Sequence, residues 1–127
     1  KPSRAHYTWF GVYLLEGDTL ALIAYIGRPT EHVRIAIGSG ICGLAARTKE
    51  TVNVADVNAD PRYLACSLET KSELVTPIMD GSICLGEIDV DSDSPAAFTR
   101  DDEDLLGAAA RLLAIGLRKD KRVASRR

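Results

Sequence analysis

The sequence predicts an α+β domain in which one central antiparallel sheet of five to six strands is flanked by helices. Paired apolar runs joined by short turns of Gly and Asp indicate hairpins, and a long amphipathic segment near the C-terminus indicates a helix. No alternating strand–helix rhythm supports a parallel sheet. The length of 127 residues fits one domain over 1–127, with 119–127 as a basic tail.

The composition excludes several classes of protein. Hydrophobic residues make up 46% and charged residues 27%, which argues against disorder, and the net charge of −2 argues against a general nucleic-acid binder. No run of about 20 apolar residues is present, so we expect no membrane span. Three cysteines do not make a disulfide framework, which predicts a reducing, cytoplasmic location. Since CxxC and HxxxH patterns are absent, we expect no metal and no bound cofactor.

The N-terminal half should begin with a hairpin. Aromatic and branched residues favour two strands, and the Gly17-Asp18 pair between them favours a tight antiparallel turn. Ser39 is placed to cap the helix that follows. The elements expected here are strands at 8–16, 19–26 and 33–37, a helix at 40–48 and a strand at 51–54.

The C-terminal half carries the strongest hairpin signal, the Asp80-Gly81 pair between two apolar runs. Thr99 and Asp102 resemble a capping box, and the acidic residues after Thr99 suit the positive end of a helix dipole. The segment 63–70 is ambiguous between a loop and a helical turn. The elements expected here are a loop at 56–62, strands at 72–79 and 82–91, and a helix from Thr99 to about Arg118 with one broad apolar stripe over 105–117.

Alternation along the strand 82–91 aligns three carboxylates. One face should carry Cys84, Gly86, Ile88 and Val90, and the other should carry Ile83, Leu85, Glu87, Asp89 and Asp91. The carboxylates form either a solvated polar edge or a site that grips an ammonium group and keeps one carboxyl protonated. The Asp80-Gly81 turn brings Glu73 beside this strand, where it can join the cluster.

The cysteines and two aromatic residues add candidates for the same site. Cys84 should be core, whereas Cys66 lies in a loop and is less suited to plain packing. Cys42, in the first turn of a helix, is either a stabilised thiolate or a small packing residue. Trp9 and Tyr13 lie on one face of the first strand, where they form either core or the wall of a pocket.

Taken together, these residues resemble a GAF domain over nearly the whole chain, which implies the single-domain α+β fold described above. The segments that carry the resemblance are 38–43, 56–63, 72–74 with Pro77, Asp80-Gly81, Leu85-Gly86 and Phe98 before the acidic helix start. GAF domains often pair through their terminal helices, so the resemblance also implies a homodimer.

A narrower resemblance is to the free methionine-(R)-sulfoxide reductases. It rests on the run Trp9–Tyr13, Cys42 in a Gly-x-Cys-Gly turn, Ala65-Cys66 with Cys66 twenty-four residues after Cys42, Ser72-Glu73, and the run Asp89–Ser92. The resemblance implies that Cys66 is the nucleophile. It also implies that the substrate is bound, and proton transfer assisted, by Glu73, Asp89 and Asp91, with Trp9 and Tyr13 as pocket walls.

Three positions depart from that family. His32 stands where the usual resolving cysteine falls, Ser67 replaces an acidic residue, and Glu87 is an extra carboxylate at a position that tends to be apolar. Turnover would then recycle through Cys42 or an external thiol, with thioredoxin or a small thiol as reductant. The alternative is a non-catalytic module that binds a small molecule, such as an amino-acid derivative held through its ammonium group, or senses redox state and signals.

Overall fold

Six strands form a single antiparallel sheet in a computed structural model that describes residues 7–61 and 69–119. The strand order is β3–β2–β1–β6–β5–β4. The elements are β1 (Trp9–Glu16), β2 (Thr19–Gly27), β3 (Arg34–Ala36), α1 (Gly40–Thr48), β4 (Val52–Val54), a 3₁₀ turn (Val57–Ala59), β5 (Ser72–Asp80), β6 (Ile83–Ser92) and α2 (Arg100–Arg118).

The two predicted hairpins build most of this sheet. β1 pairs with β2 through the Gly17-Asp18 turn, and β5 pairs with β6 through the Asp80-Gly81 turn, both antiparallel. β1 and β6, the inner strand of each hairpin, then pair with each other at the centre of the sheet. The α+β class, the antiparallel sheet and both hairpins are confirmed. Most of the ambiguous segment 63–70 lies outside the described residues.

The sheet separates two apolar clusters, each covered by one helix. α1 lies with the cluster of Trp9, Tyr13, Leu20, Ile35, Ile41, Cys42, Ala45, Ala46, Val54, Val57, Val75 and Cys84. α2 packs on β5 and β6 with the cluster of Leu14, Leu74, Ile78, Leu85, Ile88, Val90, Phe98, Leu106, Ala110 and Ala114. On β5 and β6, the residues of one face therefore pack towards α1 and the residues of the other face pack towards α2.

A bulge in β6 corrects one prediction about these faces. Ile78 pairs with Gly86 and Met79 pairs with Cys84, which leaves Leu85 without a partner on β5. An extra residue in a strand shifts the alternation by one position. Cys84 therefore lies on the α1 face and Leu85 on the α2 face, the reverse of the strict period-two assignment. The prediction that Cys84 is buried is confirmed.

The helix α2 begins at the predicted capping box. The Thr99 N–H donates to Asp102 Oδ2 at 2.8 Å, and the Tyr7 hydroxyl donates to Asp102 Oδ1 at 2.7 Å. The predicted apolar stripe divides into two parts. Leu106, Ala110 and Ala114 are buried against the sheet, whereas the exposed part comprises Leu105, Leu112, Leu113 and Ile115. Neither helix of the described ranges is long and apolar enough to cross a membrane.

The central strand pair generates a prediction about Gly86. A Cβ at Gly86 would collide with the Tyr13 carbonyl oxygen and lie 3.0 Å from the Leu14 Cα. We expect Gly86→Ala to lower the free energy of unfolding by about 1–3 kcal/mol, because backbone atoms of β1 must shift. Urea denaturation of the purified protein measures this change.

The matched control is Gly116→Ala in α2, where an added Cβ meets nothing within 4 Å. This substitution should raise stability by about 0.5–1 kcal/mol, because Ala favours a helix over Gly. Equal effects of the two substitutions would contradict the close approach of β1 and β6 at Gly86.

Candidate active site

Three alternating carboxyl groups of β6 face the cluster beneath α1. Glu87, Asp89 and Asp91 are 0%, 1% and 2% exposed. The interpretation of this row as a solvated edge is therefore wrong. Since buried carboxyl groups are rare unless they are paired or functional, the row is a candidate binding site.

The neighbouring strands supply the side walls of this site. On β1, Tyr13 lies opposite Glu87 and Trp9 lies opposite Asp91. On β5, Glu73 lies opposite Asp91 and is 4% exposed. Glu73 thus joins the carboxylate row, as the Asp80-Gly81 turn predicted.

The helix α1 brings Cys42 against the carboxyl groups. Its thiol Sγ lies 3.4 Å from Asp89 Oδ2 and 3.9 Å from Glu73 Oε2, so its single hydrogen can be donated to either carboxyl group. α1 can approach this closely because Gly43 has no side chain: a Cβ there would lie 2.6 Å from the Ile37 carbonyl oxygen. Cys42 is therefore a polar member of the site, although its side chain is only 5% exposed.

Burial keeps protons on this cluster. It raises the pKa of Asp89 above its ordinary value, and it raises the pKa of Glu87 and Asp91 well above theirs, with the charge of Asp89 adding to the effect on both. The pKa of Cys42 is raised well above 9.0, first by burial and then by the carboxylates around it. The raised pKa of Cys42 argues against a stabilised thiolate, whereas its place in the apolar cluster agrees with the interpretation as a small packing residue.

Several carboxyl oxygens of the cluster lack a partner within the described part of the chain. They are both oxygens of Glu87, Oδ1 of Asp89 and Oδ1 of Asp91. A buried polar atom without a hydrogen bond costs about 1–3 kcal/mol. The cluster is therefore incomplete without protons or a ligand that donates to it.

Among the described residues, positive charge lies at the rim of the cluster and not in its interior. No Lys, Arg or His is buried in the ranges 7–61 and 69–119. Arg28 is a cation that acts on Asp91, and it forms a bidentate pair with Asp93 at 2.7 and 3.1 Å. This pairing lowers the pKa of Asp93, whereas the more distant Asp91 keeps a raised pKa. The interior of the site is thus suited to a cationic ligand.

The two aromatic residues fix the loop that follows β2. The Trp9 indole N–H donates to the Arg28 carbonyl oxygen at 3.0 Å, and its ring stacks on Tyr25 with centroids 5.8 Å apart. The Tyr13 hydroxyl donates to the His32 carbonyl oxygen at 2.9 Å. Trp9 and Tyr13 therefore serve as core and as loop anchors, and both lie on the carboxylate face.

The structure brings together most of the predicted site residues. Trp9, Tyr13, Cys42, Glu73, Asp89 and Asp91 lie on one face of the sheet, beneath α1. Cys66, the predicted nucleophile, and Ser67 lie outside the described residues. Glu87, which the sequence placed in the alternating carboxylate row and also marked as a departure from the reductase family, lies in this site as well.

One grouping escaped the search for metal motifs. Ligand atoms of Cys42, Glu73 and Asp89 all lie within 4.8 Å of one another. Glu73 and Asp89 lie 31 and 47 positions after Cys42 in the sequence, so no short motif contains all three. Only the packing of α1 on β5 and β6 creates the group.

Comparisons with known proteins agree with this architecture. The sequence pattern of the GAF domain matches residues 5–117. The chain is 42% identical over 110 residues to the free methionine-R-sulfoxide reductase of Saccharomyces cerevisiae, covering 83% of this chain and 60% of that protein. The chain thus spans about three fifths of the length of the curated reductases it matches.

Two solved structures of reductases are similar throughout the fold. The type II free methionine-R-sulfoxide reductase of Thermoplasma acidophilum has a TM-score of 0.85 and 44% identity, covering 87% of this chain and 79% of that one. The Neisseria meningitidis free methionine-R-sulfoxide reductase, in complex with its substrate, has a TM-score of 0.81 and 37% identity, covering 86% and 66%.

The raised pKa of Glu87 predicts a pH-dependent stability. The unfolded chain loses the Glu87 proton near pH 4.3, whereas the folded chain keeps it to higher pH. Stability should therefore fall as the pH rises above about 4.3, by up to about 1.4 kcal/mol per pH unit, until the folded pKa is passed. Glu87→Gln carries no such proton and should lose less stability between about pH 4.5 and 7.5.

Urea denaturation of both proteins across this range measures the difference. Glu31→Gln, at an exposed carboxylate, is the control and should follow the unmodified protein. Parallel stability profiles for Glu87→Gln and the unmodified protein would show that burial does not hold a proton on Glu87.

Proposed function

We propose that this chain, which belongs to the GAF domain family, reduces free methionine-(R)-sulfoxide. The observation that carries the proposal is the buried group of Cys42, Glu73 and Asp89 on a sheet face lined by further carboxyl groups. Similarity to reductases of the same fold supports it. Such a cluster suits a small amino-acid substrate that carries an ammonium group.

Recognition would begin with charge. The ammonium group of a free amino acid donates three hydrogen bonds, and the unpartnered oxygens of Asp89 and Asp91 can accept them. Ion pairing in a buried site is favourable only when both partners are hydrogen-bonded, which this arrangement allows. A methionine sulfoxide residue within a peptide has no ammonium group of its own, so the site favours the free amino acid.

The reductive step requires a thiol and an acid. The Cys66 sulfur attacks the sulfoxide sulfur while a protonated carboxyl, that of Glu73 or Asp89, gives its proton to the departing oxygen. The S–O bond then breaks, the oxygen passes as a hydroxyl group to the Cys66 sulfur, and the bond between the two sulfurs breaks. Methionine leaves as the reduced thioether, and Cys66 becomes a sulfenic acid. The raised pKa of Asp89 favours the protonated form that this step needs.

Cys42 is suited to act as the resolving thiol, after Cys66 has been oxidised. Its raised pKa makes it a poor nucleophile in the resting site. Once the Asp89 carboxyl has given its proton to the substrate oxygen, its Oδ2, 3.4 Å from the Cys42 sulfur, can take the thiol proton. The resulting thiolate attacks the Cys66 sulfur and forms a disulfide as the S–O bond breaks, and the leaving hydroxide takes the proton back from Asp89 and departs as water. Thioredoxin or a small dithiol then reduces the disulfide.

This route replaces the resolving cysteine that the family usually carries at the position of His32. The backbone carbonyl oxygen of His32 accepts a hydrogen bond from the Tyr13 hydroxyl. This bond fixes the loop independently of the side chain at position 32. Both cysteines of the described chain, Cys42 and Cys84, are free thiols. Free thiols agree with a reducing, cytoplasmic setting, which is the location we propose.

Replacing the three cysteines separates their roles. Cys66→Ser should abolish reduction of free methionine-(R)-sulfoxide and largely preserve binding, because the carboxyl groups hold the substrate. Cys42→Ser should abolish turnover with thioredoxin and spare it with a small dithiol, which can reduce the sulfenic acid directly. A reductase assay on both sulfoxide epimers, with calorimetry for binding, measures these effects.

Cys84→Ser is the matched control. Cys84 lies on the same face, with its Sγ directed at the Gly86 carbonyl oxygen at 3.3 Å. Its replacement should cost stability, about 1–3 kcal/mol if the hydroxyl finds no partner, and leave turnover unchanged. Full activity of Cys66→Ser, or no activity of the unmodified protein with any reductant, would refute the enzyme and leave a non-catalytic binding or redox-sensing module.

We also propose that the protein is a homodimer through α2. Three leucines on the outer side of this helix remain partly exposed, and Leu112 reaches 72% exposure. Exposed apolar side chains grouped on one helix face are typical of protein–protein contacts. The resulting contact would leave the carboxylate face, on the opposite side of the sheet, open to substrate.

Charge placed on this helix tests the dimer. Leu112→Glu should convert a dimer to a monomer, because it buries an unpaired carboxylate at the contact. Ile26→Glu on β2 is the control, since Ile26 is 77% exposed but lies far from α2 in the sheet order, and it should leave the dimer intact. Light scattering at micromolar concentration distinguishes the forms, and a monomeric unmodified protein would exclude the proposal.

A further inference from the structure

The buried group of Cys42, Glu73 and Asp89 has the geometry of a metal site. Its three ligand atoms lie within 4.8 Å of one another. Bonds of about 2.3 Å to sulfur and about 2.0 Å to oxygen, at a tetrahedral angle, place sulfur and oxygen about 3.5 Å apart. The Cys42 sulfur lies 3.4 Å from Asp89 Oδ2 and 3.9 Å from Glu73 Oε2, on either side of that separation.

A second observation points to the same place. Glu87 is fully buried on the strand face that carries Asp89, and neither of its oxygens has a partner among the described residues. The charge of Asp89 raises the pKa of Glu87, and the charge of Glu87 raises the pKa of Cys42, which agrees with a Glu87 side chain directed at this group. Glu87 thus offers a fourth donor atom of the kind that a tetrahedral cation requires.

The donor set selects the class of cation. A thiolate favours Zn²⁺ and similar thiophilic ions over Mg²⁺ or Ca²⁺, which prefer oxygen ligands alone. Since the described residues place no cation in the interior of the cluster, a divalent ion would also neutralise its carboxylates. The Cys42 thiol would release its proton to solvent as the metal–sulfur bond forms.

We propose that Cys42, Glu73 and Asp89, with Glu87, bind Zn²⁺ in the space beneath α1 and that the ion excludes the amino-acid substrate. The exclusion follows because the ion and the substrate ammonium group compete for the oxygens of Asp89. Binding of the metal stands on the geometry alone, whereas inhibition of turnover rests on the proposed reductase function. Zn²⁺ would then act as a reversible inhibitor of the enzyme.

Cobalt is the probe for the site, because Co²⁺ takes the place of Zn²⁺ and absorbs when bound to a thiolate. Reduced full-length protein, titrated with Co²⁺ without oxygen, should develop a near-ultraviolet thiolate-to-cobalt band that Zn²⁺ removes. Cys42→Ser should lose the band. Glu73→Gln and Asp89→Asn should weaken Zn²⁺ binding by at least about 10-fold, because even outer-shell changes cost 10–100-fold.

Two further variants locate the sulfur ligand. Cys84→Ser should keep the band, since the Cys84 sulfur is directed at Gly86. If Cys66→Ser loses the band and Cys42→Ser keeps it, the metal binds elsewhere and the proposal is overturned. The absence of any band in the unmodified protein would also overturn it. Circular dichroism confirms that each variant is folded, and Asp89→Asn tests the site without altering any thiol.

Steady-state kinetics separately test whether Zn²⁺ competes with the substrate. Zn²⁺ should raise the KM for free methionine-(R)-sulfoxide without lowering kcat, and a chelator should reverse the effect. Turnover that Zn²⁺ leaves unchanged, in a protein that shows the cobalt band, would overturn the competition. A cobalt band in a protein without reductase activity would overturn the proposed function and leave the metal site standing.

Discussion

Burial of four carboxyl groups and a thiol between the sheet and α1 is the constraint on which the site depends. Glu73, Glu87, Asp89 and Asp91 are each at most 4% exposed, and the Cys42 thiol lies among them. The free-energy cost of burying all of them as charged groups away from water would be prohibitive. The cluster must therefore hold protons or a cationic ligand. The raised pKa values of Asp89, Glu87 and Asp91 are the direct expression of that constraint. The fold tolerates the cost because two apolar clusters, one on each face of the sheet, surround the polar group.

Local signals determined how much of the fold could be predicted. Asp80-Gly81 and Gly17-Asp18 specify tight antiparallel turns, and the Thr99 cap specifies the start of α2, because each depends on a few neighbouring residues. The bulge at Leu85 escaped prediction, since a bulge is settled by how β6 fits β5 and not by the composition of β6. That single insertion moved Cys84 to the opposite face.

The same distinction applies to the site. Strand alternation identified Glu87, Asp89 and Asp91 as one row, and the turn before them predicted the approach of Glu73. The role of Cys42 could not be read in this way, because its neighbours are 31 and 47 residues distant and meet it through helix packing. Its position in the first turn of a helix suggested either a stabilised thiolate or a packing residue, and burial, together with the nearby carboxylates, outweighs the helix terminus and raises the pKa of the thiol.

The proton on Cys42 connects the two proposed states of the site. An ammonium group satisfies the carboxyl oxygens by donating hydrogen bonds and leaves the thiol protonated, ready to lose its proton to Asp89 only after the sulfoxide oxygen has been protonated. A divalent ion satisfies the same oxygens but takes the thiolate as a ligand, which removes the sulfur from the reaction. The ammonium group and the divalent ion would neutralise the same buried carboxylates. They differ in whether the Cys42 thiol keeps its proton. The thiol that we propose for catalytic recycling is therefore also the group through which we propose that a thiophilic metal binds.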